Sequence, residues 1–238
     1  MLLERNRARG VSVVRSYYVV WYRGEFRWHR CGGILSRMDF LSAFVGSPAR
    51  AKILRLFLFN AEEAFTSAEI AKRAQVTKAI AQKEAGFLKR LGVVKSTEVR
   101  RTHETSGTTK KVSGFELDPS SQHLRMLQTF VRDTSAIEQD SITARLRPAG
   151  RLKLVIASGT FVDDAASRVD LLVVADALNE RKLQTALRGI EADLGRELRY
   201  AAFVTEEFKY RLTVYDKLIR DILDYPHRVF LDRIGVTN

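Results

Sequence analysis

A chain of 238 residues, 45% hydrophobic and 29% charged, has the length of two ordinary domains and the composition of a folded protein, which excludes a disordered polymer. Its formal net charge of +12 favours a polyanionic partner, of which nucleic acid is the commonest. A single cysteine, Cys31, excludes an internal disulfide, four scattered histidines offer no metal-ligand spacing, and no stretch is apolar and long enough to span a membrane.

These limits lead us to expect a cytoplasmic protein with no metal, no cofactor and no membrane partner. Residues 1–37 hold eight arginines, no lysine and two acids, Glu4 and Glu25, and so carry +6 of the total. Val11 to Tyr22 is no signal-peptide core, because Arg15 interrupts it and no small-residue cleavage site follows. Met38 then leads directly into sequence of helical pattern. The expectation is a natural start at Met38, with 1–37 an upstream extension that is poorly ordered or weakly helical. The alternative is a basic arm lying on DNA phosphates.

Ser47-Pro48 is a helix-start signal, and Ile53, Leu54, Phe57 and Leu58 recur at helical spacing behind it. After a break at 60–64, Thr66 or Ser67 is placed to cap a helix over about 68–74, with Glu69 in its first turn and Ile70, Ala71 and Ala74 inward. A tight turn at Gln75-Val76 follows, and Thr77 caps a third helix that runs to about Leu91. Ala81, Ala85 and Leu88 form the inner face of that helix. Lys78, Ala79, Gln82, Lys83 and Gly86 lie on the other side, where small residues allow close approach and Gln and Lys reach base edges and phosphates.

Gly92 ends the third helix, and residues 93–102 and 110–117 read as two strands joined around Gly107. The hairpin carries Lys95, Arg100, Arg101, Lys110 and Lys111, and such a hairpin directly after a recognition-type helix suits the DNA backbone or minor groove. The run Ser67-Ala-Glu-Ile-Ala-Lys-Arg-Ala-Gln-Val-Thr-Lys-Ala and the ending Phe87-Leu-Lys-Arg-Leu-Gly-Val-Val-Lys resemble winged-helix regulators of the ArsR and MarR kind. Phe115-Glu-Leu-Asp-Pro resembles the strand that closes their wing. The resemblance implies a homodimer on double-stranded DNA, contacted through Thr77, Lys78, Ala79, Gln82, Lys83, Lys95, Arg100, Arg101, Lys110 and Lys111. Metal-sensing relatives use Cys or His clusters, which this sequence lacks.

Past Pro119 a helical connector carries Leu124, Leu127 and Val131 on one face, with a second helix near 137–146. Residues 152–158 read as a strand ahead of Gly159-Thr160, and 169–174 as a second, buried strand. A helix over 179–194 inserts Leu183, Leu187, Ile190 and Leu194 and stops at Gly195. Residues 197–204 read as a third strand and 206–225 as one helix. Strand, Gly-Thr, short helix and a strand opening with an acid resemble the minimal nucleotidyltransferases of the polymerase-β type, in which Gly-Ser contacts phosphate and Asp-x-Asp holds divalent metals.

This sequence departs from that motif. Thr160 stands for the serine, Arg168 for the first aspartate, only Asp170 remains of the pair, and Glu197 is the one acid near the third strand. A guanidinium repels Mg²⁺ and a lone carboxylate holds it poorly. Nucleotidyl transfer is therefore expected to be lost, leaving a scaffold, a dimerisation unit or a sensor of a nucleotide-like effector at Gly159, Thr160, Arg168 and Asp170. Arg168 is expected to pair with a phosphate or with Asp170.

The whole reads as an α+β protein: a basic extension over 1–37, a winged helix-turn-helix over 38–118, a helical connector over 119–150 and an α/β nucleotidyltransferase-like domain over 151–238. Two other readings are an active nucleotidyltransferase targeted by its winged helix, and an adaptor whose winged helix binds protein.

Overall fold

The computed structural model describes residues 39–102, 109–134, 139–164 and 166–237, with strand backbone at 11–14, 17–22 and 25–30; side chains at 101, 102, 109 and 110 lie outside the described residues. Helices and sheets are both abundant, as an α+β protein requires.

Strands β1 (Val11–Val14), β2 (Tyr17–Tyr22) and β3 (Glu25–Arg30) pair antiparallel, with Val11 opposite Val20 and Trp21 opposite Phe26. The described stretches of the N-terminal segment are thus extended, where weak helix or unordered chain was expected. The β-branched and aromatic residues concentrated there suit a strand better than a helix.

A short helix α1 (Phe40–Phe44), capped by Asp39, precedes α2 (Pro48–Phe59), capped by Ser47 with Pro48 in its first turn. Helix α2 is buried from Ile53 to Leu58, including Arg55, because both halves of the molecule pack against it. Asp39 neutralises that buried arginine, its carboxylate 2.5 Å from Nη2 of Arg55. After β4 (Ala64–Thr66) comes α3 (Ser67–Ala74), which opens on a complete capping box: Thr66 accepts from the Glu69 N–H, and Glu69 accepts from the Thr66 N–H. Gln75 turns the chain in the left-handed region at φ 54°, and Thr77 caps α4 (Lys78–Arg90).

Strands β5 (Val94–Thr102) and β6 (Thr109–Leu117) form a nine-residue ladder, and β4 adds to its other edge through Phe65 opposite Phe115. Helix α5 (Leu124–Thr134) closes this half by inserting Val131, and α6 (Gln139–Leu146) leads into the second.

There the sheet order is β10-β7-β8-β9, from β7 (Arg151–Ala157), β8 (Leu171–Asp176), β9 (Tyr200–Val204) and β10 (Arg228–Asp232). Among the described residues the β8–β9 pairing is parallel and the other two of this sheet are antiparallel. Leu171, Val173 and Ala175 face α6 and α7 (Glu180–Leu194), while Leu172 and Val174 face α8 (Thr205–Thr213) and α9 (Lys217–Asp224). A sheet covered on both sides explains why β8 is apolar at successive positions instead of alternating.

Two expectations are corrected here. The helix read over 206–225 is two helices, because Tyr215 takes φ 55° and Asp216 starts α9 by accepting from the N–H groups of Leu218 and Ile219. The third strand starts at Tyr200, not at Glu197. Strand β10 was not anticipated. No helix among the described residues is long and apolar enough to cross a membrane.

Candidate functional site

Two groups of residues bear chemistry, one in each half. In the first, the Thr77 hydroxyl caps α4 by accepting the Ile80 N–H, and this sets the direction of the helix's first turns. Thr77, Lys78, Ala79, Gln82 and Lys83 are all exposed, while Ala81, Ala85 and Leu88 enter the core. The 78, 79, 82, 83 spacing gathers them on one helix face. Gly86 shares that helix, and a Cβ there would meet nothing within 4 Å, so the space over it is open.

The hairpin concentrates its cations by register. Arg100 lies opposite Lys111 and Arg101 opposite Lys110, so two consecutive rungs pair like charges. Such pairs destabilise a ladder unless an anion comes between them. Lys111 is partly answered by Glu98 at 2.7 Å, but among the described residues no acid lies within ion-pair distance of Lys78, Lys83 or Arg100. The side chains of Arg101 and Lys110 lie outside the described residues.

Lys95 stands apart. It sits at the hairpin's root, five residues and about 17 Å along the strand from Arg100, and its ammonium is 3.2 Å from the carboxylate of Glu116 opposite. It lines an open concavity of about 240 Å³ with Glu62, Glu116 and Pro119. The structure therefore does not bring Lys95 together with the tip cations.

In the second half, Gly159, Thr160 and Asp170 do come together. Asp170 is 1% exposed, directly before β8. Its Oδ1 accepts the Thr160 N–H at 2.8 Å, and its Oδ2 accepts the Arg199 N–H at 2.9 Å. The Arg199 guanidinium completes the shell as a fork, Nε to Oδ2 and Nη2 to Oδ1, both 3.1 Å. Gly159, at φ 52°, is fixed by this carboxylate, since a Cβ there would fall 2.2 Å from Oδ1. Burial alone would raise the Asp170 pKa, but the hydrogen bonds from Arg199 and Thr160 outweigh it and hold the carboxyl below its usual range.

Arg168 does not pair with Asp170. Its side chain is 65% exposed, and among the described residues its ion-pair partner is Asp221 of α9, at 3.9 Å. Two residues before Asp170, in a bent stretch ahead of β8, it lies exposed beside α9 while Arg199 takes the carboxylate. Glu197 turns the other way and meets Arg73 of α3 at 3.2 Å, so it adds nothing to Asp170. Both oxygens of Asp170 are engaged, a guanidinium lies against them, and among the described residues no group of three metal-binding side chains forms there. This set does not fit a divalent ion.

Arg199 is the functional-site residue that sequence reasoning missed. The signal available was an arginine at the mouth of a strand neighbouring β8, and it acquires meaning only from the parallel register that sets Leu171 opposite Tyr200. Comparison of the chain with family models, with curated proteins and with solved structures finds no match.

Proposed function

We propose that the chain is a DNA-binding transcriptional regulator in which residues 38–118 act as a winged helix-turn-helix. Helix α4 is the recognition helix, and the β5–β6 hairpin is the wing. The observation that carries this reading is the hairpin's two consecutive cationic rungs, Arg100 with Lys111 and Arg101 with Lys110. A rung of like charges is a cost that a duplex phosphate backbone removes. The exposed face of α4 supports it, with Lys78 and Lys83 for phosphates and Gln82 for a base edge beside the small residues Ala79 and Gly86. The net charge of +12 acts in the same direction.

In this reading residues 151–238 are a nucleotidyltransferase-like domain that has exchanged a metal site for the Asp170–Arg199 pair. It serves as scaffold, dimerisation unit or effector sensor and transfers no nucleotide. The occupied carboxylate supports that reading over an active transferase.

The test is a fluorescence-anisotropy titration of the full chain against random-sequence duplex, repeated with Lys78, Lys83, Arg100 and Arg101 changed to alanine. Salt-sensitive binding that the substitutions weaken tenfold or more is expected. Absence of binding by the unsubstituted chain sinks the proposal.

A further inference from the structure

Five consecutive residues, 195–199, connect the Asp170 carboxylate to the three-helix unit. Gly195 ends α7 at φ 73°, and its carbonyl accepts a hydrogen bond from Asn60 Nδ2 at 2.7 Å. A Cβ at this glycine would lie 2.6 Å from the Arg55 carbonyl carbon and 2.8 Å from the Leu56 nitrogen, so the cap of α7 touches the backbone of α2 with no room to spare. Arg196 stacks its guanidinium 4.1 Å from the centre of the Phe59 ring. Glu197 pairs with Arg73 of α3. Leu198 is buried and donates its N–H to Glu191. Arg199 then closes on Asp170.

These anchors differ in strength. The Arg73–Glu197 pair is exposed at Glu197, 75% accessible, and exposed pairs contribute little. The Asp170 end is a buried carboxylate held by charge-assisted bonds, the strongest kind in the segment. The Gly195 contact is backbone against backbone, and a close-packed contact of that sort passes on a displacement instead of absorbing it. The Arg199 side chain is 52% exposed, so the firm end of the segment can be reached from solvent.

We propose that this segment couples the two halves of the molecule: the state of the Asp170–Arg199 pair sets the stability of α3 and, through it, the affinity of the three-helix unit for duplex DNA. The second clause rests on the function proposed above. Opening the pair releases the segment at its firm end, and the loosening reaches α2 at Gly195 and Arg196 and α3 through the end of α7 that packs against it. Helix α3 supports α4, against which it packs, so loosening α3 weakens the surface that faces DNA.

The experiment is hydrogen exchange, read by mass spectrometry, on the full chain and on Arg199→Gln, with duplex anisotropy on the same samples. The expected result is amide exchange at least fivefold faster in residues 195–199 and in Ser67–Ala74, with the outer hairpin and Arg228–Asp232 within twofold of the unsubstituted chain. Duplex affinity falls at least threefold in parallel. Faster exchange confined to 195–199 and the neighbouring strands overturns the coupling. If Arg199→Gln loses protection everywhere, Arg199→Lys, which keeps a cation but not the fork, replaces it; a twofold or larger effect on α3 is then expected, and none overturns the proposal. An unsubstituted chain that binds no duplex defeats the functional reading while the exchange result still decides the coupling. A chain that binds duplex while α3 is unmoved by Arg199→Gln keeps the function and loses the coupling.

Discussion

Asp170 and Arg199 meet at the mouths of two parallel strands, each carboxylate oxygen 3.1 Å from a different nitrogen of the guanidinium. The pair closes a carboxylate that is 1% exposed and leaves the arginine half in solvent. Removing the cation strands a buried charge that the backbone N–H groups of Thr160 and Arg199 and the Thr160 side chain must satisfy. Arg199→Ala is therefore expected to cost about 2–4 kcal/mol, the lower end being favoured because water screens the exposed side of the guanidinium. Chemical denaturation of the two proteins at neutral pH measures it, and a cost below about 0.5 kcal/mol would mean that the pair is ornamental.

The same carboxylate gives a signed pH dependence. Its folded pKa lies below the unfolded value, so the folded state binds its proton less readily than the unfolded chain. The stabilisation is fully present above the unfolded value of about 3.9 and is lost as pH falls through the folded one. Denaturation midpoints measured from pH 6 downward should fall below about pH 4, with a smaller fall in Asp170→Asn. Asp39 and Asp232, also lowered, contribute in the same direction, so the comparison between variants carries the test.

An occupied Asp170 predicts indifference to divalent metal. Millimolar Mg²⁺ should leave the melting temperature of the protein within about 1 °C, since a ligand stabilises only the state it binds. A rise of several degrees would show that Arg199 yields its place to the ion and would reopen the question of phosphoryl transfer.

Glu84 is buried on α4 with Arg50 of α2 at 2.7 Å, and Arg50 also covers Phe87, its guanidinium carbon 4.0 Å from the ring centre. Arg50→Ala leaves Glu84 unpaired and should cost about 3 kcal/mol, while Glu84→Gln, which keeps the shape and a hydrogen-bonding group, should cost about 1 kcal/mol. Equal costs would contradict the assignment. Thr66→Ala, which opens the capping box of α3, is expected to cost about 1 kcal/mol.

Much of this architecture is written locally. Thr66 with Glu69, Thr77 and Gly195 are punctuation whose physics spans three or four residues, so the bounds of α3, α4 and α7 follow from the sequence alone. The two strands of the hairpin are equally local, whereas the register that sets Arg100 opposite Lys111 comes from the ladder itself. What escaped depends on distant partners. Strand β10 is five residues at one edge of the sheet, recognisable only once β7 lies beside it. The break in 206–225 falls at Tyr215, a left-handed residue without glycine to announce it. Of the two partners the sequence offers Arg168, a phosphate or Asp170, the second is near in sequence but taken by Arg199, which reaches it through a parallel register spanning a whole helix.

The salt dependence of duplex binding tests the central claim most directly. Each phosphate contact adds about 0.9 to the slope of log K against log salt, so a chain that binds through Lys78, Lys83, Arg100 and Arg101 should lose about 3.6 from that slope when all four become alanine. Lys95→Ala, at the compensated root of the hairpin, should leave it unchanged. A slope that does not move in the fourfold variant, or moves as much in Lys95→Ala alone, would contradict the account.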